Sequence, residues 1–441
     1  MWKVIADLRC TFIHRRLLDV SRLKHAAVKK RLFLSEAYRC QEAWEKRLQT
    51  PILQRINLND FYQELEGKFS NEGKASAIDV DLFANKVNSE SYIDELEDII
   101  HKLRLSPNTT DTLPSTPHSF IRLLLAVGKH DELLRVLDDR LNYGIFPDDY
   151  CNALLMDTFL KEKNYTGAVR VGVMQMLQED WAHPLVSHLA LISCYMYLKN
   201  PESWVQTDET EKPKDDGEEI KVRVKYLRNP YFDDHFDLHD PKLLVGKTLA
   251  MLGKHFPDAI GKTYQLIGWG MYQKWDKALA ILEQILNEKQ KPSLFKEGIE
   301  LFKNSIEDIK GEDGQENEMK NKSLKLLQEV ESLGLVTDDN LQELIENKVK
   351  SVVSSMEKQM IEEQCKLYSD WEISRDNLLQ QQLDELKRHQ QIIFFFDNEE
   401  KLELAIEKNE VIVNKQKLHK KVTSQSKDED YIPPDVRAVT S

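Results

Sequence analysis

Two Gly-Lys-Thr tripeptides, Gly246-Lys247-Thr248 and Gly261-Lys262-Thr263, imitate the end of a phosphate-binding loop. Such a loop needs a glycine five residues before its second glycine, so that backbone amides can wrap the phosphates. Pro241 and Phe256 stand there instead, and neither tripeptide is expected to hold a nucleotide. His235 and His239, among Asp233, Asp234, Asp237 and Asp240, have the i, i+4 spacing of a metal pair on a helix. No glutamate base lies within the pair, two prolines (Pro230 and Pro241) confine it, and the shell is incomplete. The expectation is an acidic loop without metal or cofactor. The five cysteines (Cys10, Cys40, Cys151, Cys194, Cys365) never fall at Cys-x-x-Cys spacing, and their number is odd. That suits a reducing compartment better than a disulfide framework. With no nucleophile elbow, dinucleotide fingerprint or distinguished carboxylate pair, the sequence predicts neither an enzyme nor a small-molecule substrate.

The chemistry left is contact with phosphate, which needs clustered Lys and Arg. The candidates are Arg122, Lys129, Arg135 and Arg140, then Lys161, Lys163 and Arg170, then Lys221, Arg223, Lys225 and Arg228. The last group alternates with Val222 and Val224 and precedes Tyr226 and Tyr231. A solvated surface is the competing reading of each group. The net charge of −14 hides an asymmetry: residues 1–33 carry +7, which leaves −21 for residues 34–441. So acidic a remainder implies that much of the surface avoids phosphate, and that RNA is touched through one small face.

The elements that must position these residues read as helices. Gly and Pro number only 16 and 14, and no apolar run is long enough to span a bilayer. In residues 1–33, Ile5, Leu8, Phe12, Leu17, Val20 and Leu23 recur near helical spacing between Arg and Lys, the pattern of a mitochondrial transit peptide. Residues 34–200 read as stacked short helices. An acidic linker or insert follows at 201–225, then further helical repeats at 226–306 and a second acidic linker at 307–322. A long charged helix or coiled coil is expected at 323–424, and a disordered tail at 425–441. The predicted class is all-α: a helical-hairpin repeat solenoid with a long charged C-terminal helix.

A repeat near 35 residues supports this. One unit runs from Ser115 and ends Tyr143-Gly144-Ile145-Phe146-Pro147-Asp148, and the next begins at Asp149. The position opening the second helix is Leu133 in one unit and Ala168 in the next, with Leu96 and Ala278 as further instances. Helix, turn, helix, then Gly-x-x-Pro-Asp is the pentatricopeptide-repeat pattern; a generic tetratricopeptide-like array shares much of it. One hairpin cannot bury its own apolar face, so neighbours must stack.

Tyr143–Asp149 with Leu154–Asn164, Arg31–Tyr38 with Trp44-Glu45, Arg104–Asn108 and Trp275–Leu279 together resemble the metazoan family of mitochondrial ribosomal small-subunit proteins numbered twenty-seven. The resemblance covers most of residues 31–300 in order. It also places a C-terminal charged helix carrying a Trp, here Trp371, while the acidic insert at 206–220 departs from it. It implies residence in the mitochondrial small ribosomal subunit, with ribosomal RNA and other mitoribosomal proteins as partners; the absence of a spanning apolar run adds the expectation of no membrane partner.

Base reading by such repeats uses side chains at the fifth and last positions of each unit. Here these are His118 and Ala153, with Asp148 and approximately His183 last. Ala153 has nothing to offer a base edge, so shape and phosphate contact is the expected mode. Two other classes stay open: a free mitochondrial RNA-binding or translation factor, and a protein–protein adaptor with a coiled-coil tail.

Overall fold

The computed structural model describes residues 33–202, 204, 235, 238–288, 294–307 and 314–425. All but the last residue of the expected transit peptide 1–33, nearly all of the 201–225 insert, the Lys221–Arg228 cluster and the tail after 425 lie outside the described residues. The chain divides into one unit ending at Trp371 and a second beginning at Glu372.

The first unit is built of helical hairpins. A 3-10 turn (Glu36–Arg39) leads into α1 (Gln41–Glu45), α2 (Pro51–Arg55) and α3 (Leu58–Glu72). The hairpins follow: α4 (Ala77–Lys86) with α5 (Ile93–Leu105), α6 (Ser115–Val127) with α7 (His130–Asp138), and α8 (Asp149–Glu162) with α9 (Tyr165–Gln178). Then come α10 (Pro184–Lys199), α11 (Pro241–His255), α12 (Ala259–Met271), α13 (Trp275–Glu288), α14 (Lys296–Glu307) and α15 (Gly314–Ser332). A two-residue strand β1 (Leu294–Phe295) pairs in parallel with β2 (Val336–Thr337), and α16 runs from Leu341 to Gln425. From α4 to α15 each helix packs on a neighbour in sequence or on the next but one. Leu96, Leu133, Ala168 and Ala278 are each fully buried in the second helix of their hairpin. No described helix is long and apolar enough to cross a membrane.

Local chemistry sets the boundaries. Asp148 caps α8 by accepting from the Cys151 N–H at 2.7 Å, and Asn164 caps α9 through the Gly167 N–H at 2.7 Å. Pro147 ends the preceding chain and its carbonyl accepts from Asn152 Nδ2 at 3.0 Å. Gly144 is expected to close the second helix of its unit. Helix α7 stops earlier, at Asp138, and Gly144 instead closes a separate turn at φ 63°, its N–H donating to the Arg140 carbonyl. The second acidic linker also differs from expectation, because α15 begins inside it at Gly314.

The Gly-Lys-Thr tripeptides have a packing explanation. Gly246 and Gly253 on α11 face Gly261 and Gly268 on α12, each pair seven residues apart and so on one helix face. A Cβ on Gly253 would lie 2.6 Å from the Gly261 carbonyl oxygen, and one on Gly246 would lie 2.7 Å from Met271 Cβ. The backbones approach too closely for any side chain. Thr248 and Thr263 donate their hydroxyls back to the Leu244 and Ala259 carbonyls within their own helices.

Opposite outcomes are expected for two glycine substitutions in helices. Gly268→Ala forces the α11–α12 backbones apart and should cost about 1–3 kcal/mol. Gly67→Ala in α3, where an added Cβ meets nothing within 4 Å, should stabilise by up to about 1 kcal/mol. Thermal unfolding of the two variants checks this; a neutral Gly268→Ala would contradict the packing.

Candidate functional site: the covered face of the repeats

The face carrying the base-reading positions is occupied by the protein's own residues. His118 and Arg122, one turn apart on α6, are 2% and 6% exposed. Across them lie the N-terminal segment Leu34–Trp44, the start of α8, and the part of α16 that ends at Trp371. The contacts made by α16 fall on one helical stripe. Glu357 accepts from the Ser35 N–H at 2.6 Å, the Met360 sulfur accepts from the Tyr38 hydroxyl at 3.7 Å, and the Ile361 carbonyl faces the Cys40 thiol at 4.0 Å. Tyr368 and Trp371 follow, each about 5 Å ring to ring from His118 (5.5 and 5.0 Å). The 4-3-4 spacing of Ile345, Val349, Val352 and Met356 begins this stripe, with Ile345 and Val349 fully buried. Further along, Leu367 is exposed and Tyr368 takes the inward place.

Arg122 ties the layers together. One guanidinium nitrogen donates to the Tyr150 hydroxyl at 3.2 Å and the Tyr368 hydroxyl at 2.9 Å. The other donates to the Arg39 carbonyl at 2.7 Å and to Gln41 Oε1 at 3.1 Å. Three separate segments, the N-terminal one, α8 and α16, therefore meet on one buried cation through neutral oxygens. Tyr150 in turn donates to the Tyr38 carbonyl at 2.5 Å, and the two rings stack at 4.8 Å. Trp44 sits edge-on to His118 at 5.2 Å, with the Arg47 guanidinium 3.7 Å over its indole.

Beside the cation lies a triad. His118 Nδ1 is 3.3 Å from Asp148 Oδ2 and 3.2 Å from Cys151 Sγ, while its Nε2 is 3.0 Å from the Tyr368 hydroxyl. His118, Asp148 and Cys151 are the three types of ligand that could hold a metal. Three donors leave a tetrahedral site incomplete, and each of the three is already bonded to another. The arrangement serves better as a closed hydrogen-bond network. Burial pushes the His118 imidazole below its ordinary value, against the opposing pull of Asp148. Burial acts to raise Asp148, but its bonds with His118 and Cys151 outweigh this and hold the carboxyl below the usual range. Burial pushes the Cys151 thiol well up, so it stays protonated.

The other predicted cations divide. Lys161 bonds Asp157 at 2.6 Å and the Leu34 carbonyl at 3.1 Å, and Asp157 also accepts from the Phe33 and Leu34 N–H groups; this pair pins the N-terminal segment to α8. Arg135 is bound to Glu97 and Tyr143, and Arg170 to Asp138. Lys129 pairs with Glu132 at 3.3 Å on the surface, and Lys163 is exposed at the end of α8. The predicted cations of the repeats thus form no single patch. Of the His235–His239 pair, His235 faces the Leu177 carbonyl at 2.9 Å, and the described residues 235 and 238–240 are not helical. Sequence reasoning missed Tyr150 and Tyr368 as partners of Arg122, and Tyr38 as the partner of Tyr150. The available signal was an aromatic cluster spread over three segments, and only the fold brings it together.

The histidine has a consequence for stability. The unfolded chain protonates it near pH 6.5, whereas the folded protein resists until a lower pH. Stability is therefore full above about pH 6.5 and falls as pH drops toward the lowered folded value. The Asp148 contribution belongs to a separate window, below about pH 3.8. His118→Asn should flatten the Tm–pH curve between about pH 6.5 and 5; parallel curves for the two proteins would contradict a buried neutral imidazole. Tyr368→Phe should cost about 1–3 kcal/mol by removing an acceptor from Arg122, measurable by denaturant unfolding.

These features describe a helical-repeat protein whose repeat face is closed from within. The family described as mitochondrial 28S ribosomal protein S27 matches residues 1–393 of this chain, and the chain belongs to that family, whose members are components of the small ribosomal subunit of the mitochondrion.

Proposed function

We propose that this chain is a structural, non-catalytic component of the mitochondrial small subunit in the matrix, supporting mitochondrial translation by bridging ribosomal RNA and neighbouring ribosomal proteins. Family membership over residues 1–393 carries the reading. The closed repeat face defines its mode. A pentatricopeptide-type solenoid that reads bases needs its fifth and last positions open to single-stranded RNA. Here His118 is 2% exposed and Ala153 is fully buried, while Asp148 is exposed at the edge with its carboxylate bonded to His118 and the Cys151 N–H. RNA recognition by shape and phosphate on other surfaces fits this geometry. Lys129 and Lys163 on the repeats are accessible to such contact, and Lys221, Arg223, Lys225 and Arg228 remain candidates. On this reading residues 1–33 are the import signal, removed before docking of the segment that begins near Leu34.

Sucrose-gradient fractionation of a mitochondrial lysate, followed by immunoblotting, tests the proposal. The chain should co-migrate with the small subunit at high salt and shift after RNase treatment. Recovery only at the top of the gradient would contradict it and favour a free RNA-binding factor or an adaptor.

A further inference from the structure

The second unit, taken by itself, carries a distinct pattern of charge. Every residue of α16 from 385 to 420 is exposed. At about 100° per residue, most charged and apolar residues of 399–419 sort into four arcs, with Ile412 beside the lysine stripe as an exception. Lys401, Lys408, Lys415 and His419 fall within about 40° of one another, since a heptad spacing drifts by only ~20° per repeat. All five acids of this stretch, Glu399, Glu400, Glu403, Glu407 and Glu410, fall in an arc about 100° wide centred about 130° away, which Lys417 shares. Between these arcs run two apolar stripes: Leu404, Val411 and Leu418 on one side, and Leu402, Ile406 and Val413 on the other, each residue at least 45% exposed. Asp397 closes the basic stripe at its N-terminal end, and residues 411–421 hold four lysines and no acid.

We propose that this lysine stripe is a contact surface for the phosphate backbone of structured RNA. The proposal rests on the ribosomal reading above and names where its RNA contact lies. Several of the predicted cations of the repeats are spent on the protein's own carboxylates: Arg135 on Glu97, Lys161 on Asp157 and Arg170 on Asp138. Along the stripe the acids are turned to the far side, so a chain of net charge −14 presents a local cationic face. From Lys401 to His419 the stripe extends about 27 Å, long enough to meet successive phosphates of a helical RNA. A regular helix cannot read bases in the narrow major groove of A-form RNA, so the contact is with backbone and shape. An anionic membrane fits less well. A helix lying on a bilayer needs one continuous apolar face bordered by cations, whereas here the apolar residues are split into two stripes with an acidic face between them.

The test uses the full-length protein and full-length small-subunit ribosomal RNA made by transcription, with affinity measured across a salt series. Each phosphate contact contributes roughly 0.7–0.9 to the slope of log affinity against log salt. The variant Lys401→Gln/Lys408→Gln/Lys415→Gln should lose at least about tenfold in affinity at low salt and reduce the slope by roughly 2–3, with its circular dichroism unchanged. The control Glu403→Gln/Glu407→Gln/Glu410→Gln should bind no more weakly than the parent. If the parent binds and the lysine variant keeps both affinity and slope, the stripe is not the RNA contact. If the parent sediments with the small subunit but does not bind this RNA, the stripe proposal fails while the ribosomal reading stands, and an acidic protein partner takes its place. If the parent neither binds RNA nor sediments with the subunit, the reading beneath the proposal fails as well.

Discussion

The first unit depends on one buried cation. A guanidinium taken out of water is costly unless every donor finds an acceptor. Arg122 meets this demand with oxygens from the N-terminal segment, α8 and α16. None of these segments satisfies it alone, so the demand acts as a specification: the chain after residue 33 and the helix that follows residue 340 must both come to the same face of the repeats. The aromatic rings of Tyr38, Tyr150, Trp44, Tyr368 and Trp371 then fill the space around the cation and exclude water from it. Low local polarity strengthens the hydrogen bonds it encloses and raises the cost of breaking any one of them.

Closure of this face separates two roles that a repeat array can play. An open array offers its inner positions to a ligand. A closed one spends them on itself and becomes a rigid spacer whose outward surfaces do the contacting. The buried neutral state of His118 and the protonated Cys151 belong to the second kind, since both follow from exclusion of water. The glycine-lined approach of α11 and α12 is a further investment in rigidity, because backbones in direct contact leave little freedom to slide.

Much of the architecture was legible in the sequence. The 35-residue spacing of Leu133 and Ala168 follows from one hairpin per unit, and Pro147-Asp148 marks a helix start because proline ends one segment and aspartate caps the next. The family was legible from local stretches such as Tyr143–Asp149. The covered face was not. His118 and Arg122 read as a reader position and a phosphate contact, because local pattern cannot show that residues 250 positions away fold back over them. The glycines of Gly246-Lys247-Thr248 and Gly261-Lys262-Thr263 could be dismissed as phosphate loops, yet their heptad partners Gly253 and Gly268 went unused as a signal of close helix packing. Leu367 is exposed and Tyr368, the next residue, takes the inward place. A one-residue shift in an irregular charged helix is settled only by what the helix packs against.

Hydrogen exchange of the backbone amides of Leu34, Tyr38 and Trp44 in the full-length protein tests the central claim most directly. If the N-terminal segment is bound into the repeat face through Arg122 and Asp157, these amides should be protected to the same degree as those of α6 and α8, and lose that protection together in the variant Arg122→Met. Exchange at the rate of an unstructured chain, with α6 and α8 still protected, would show that the face stands open and would return the repeats to the class of RNA readers.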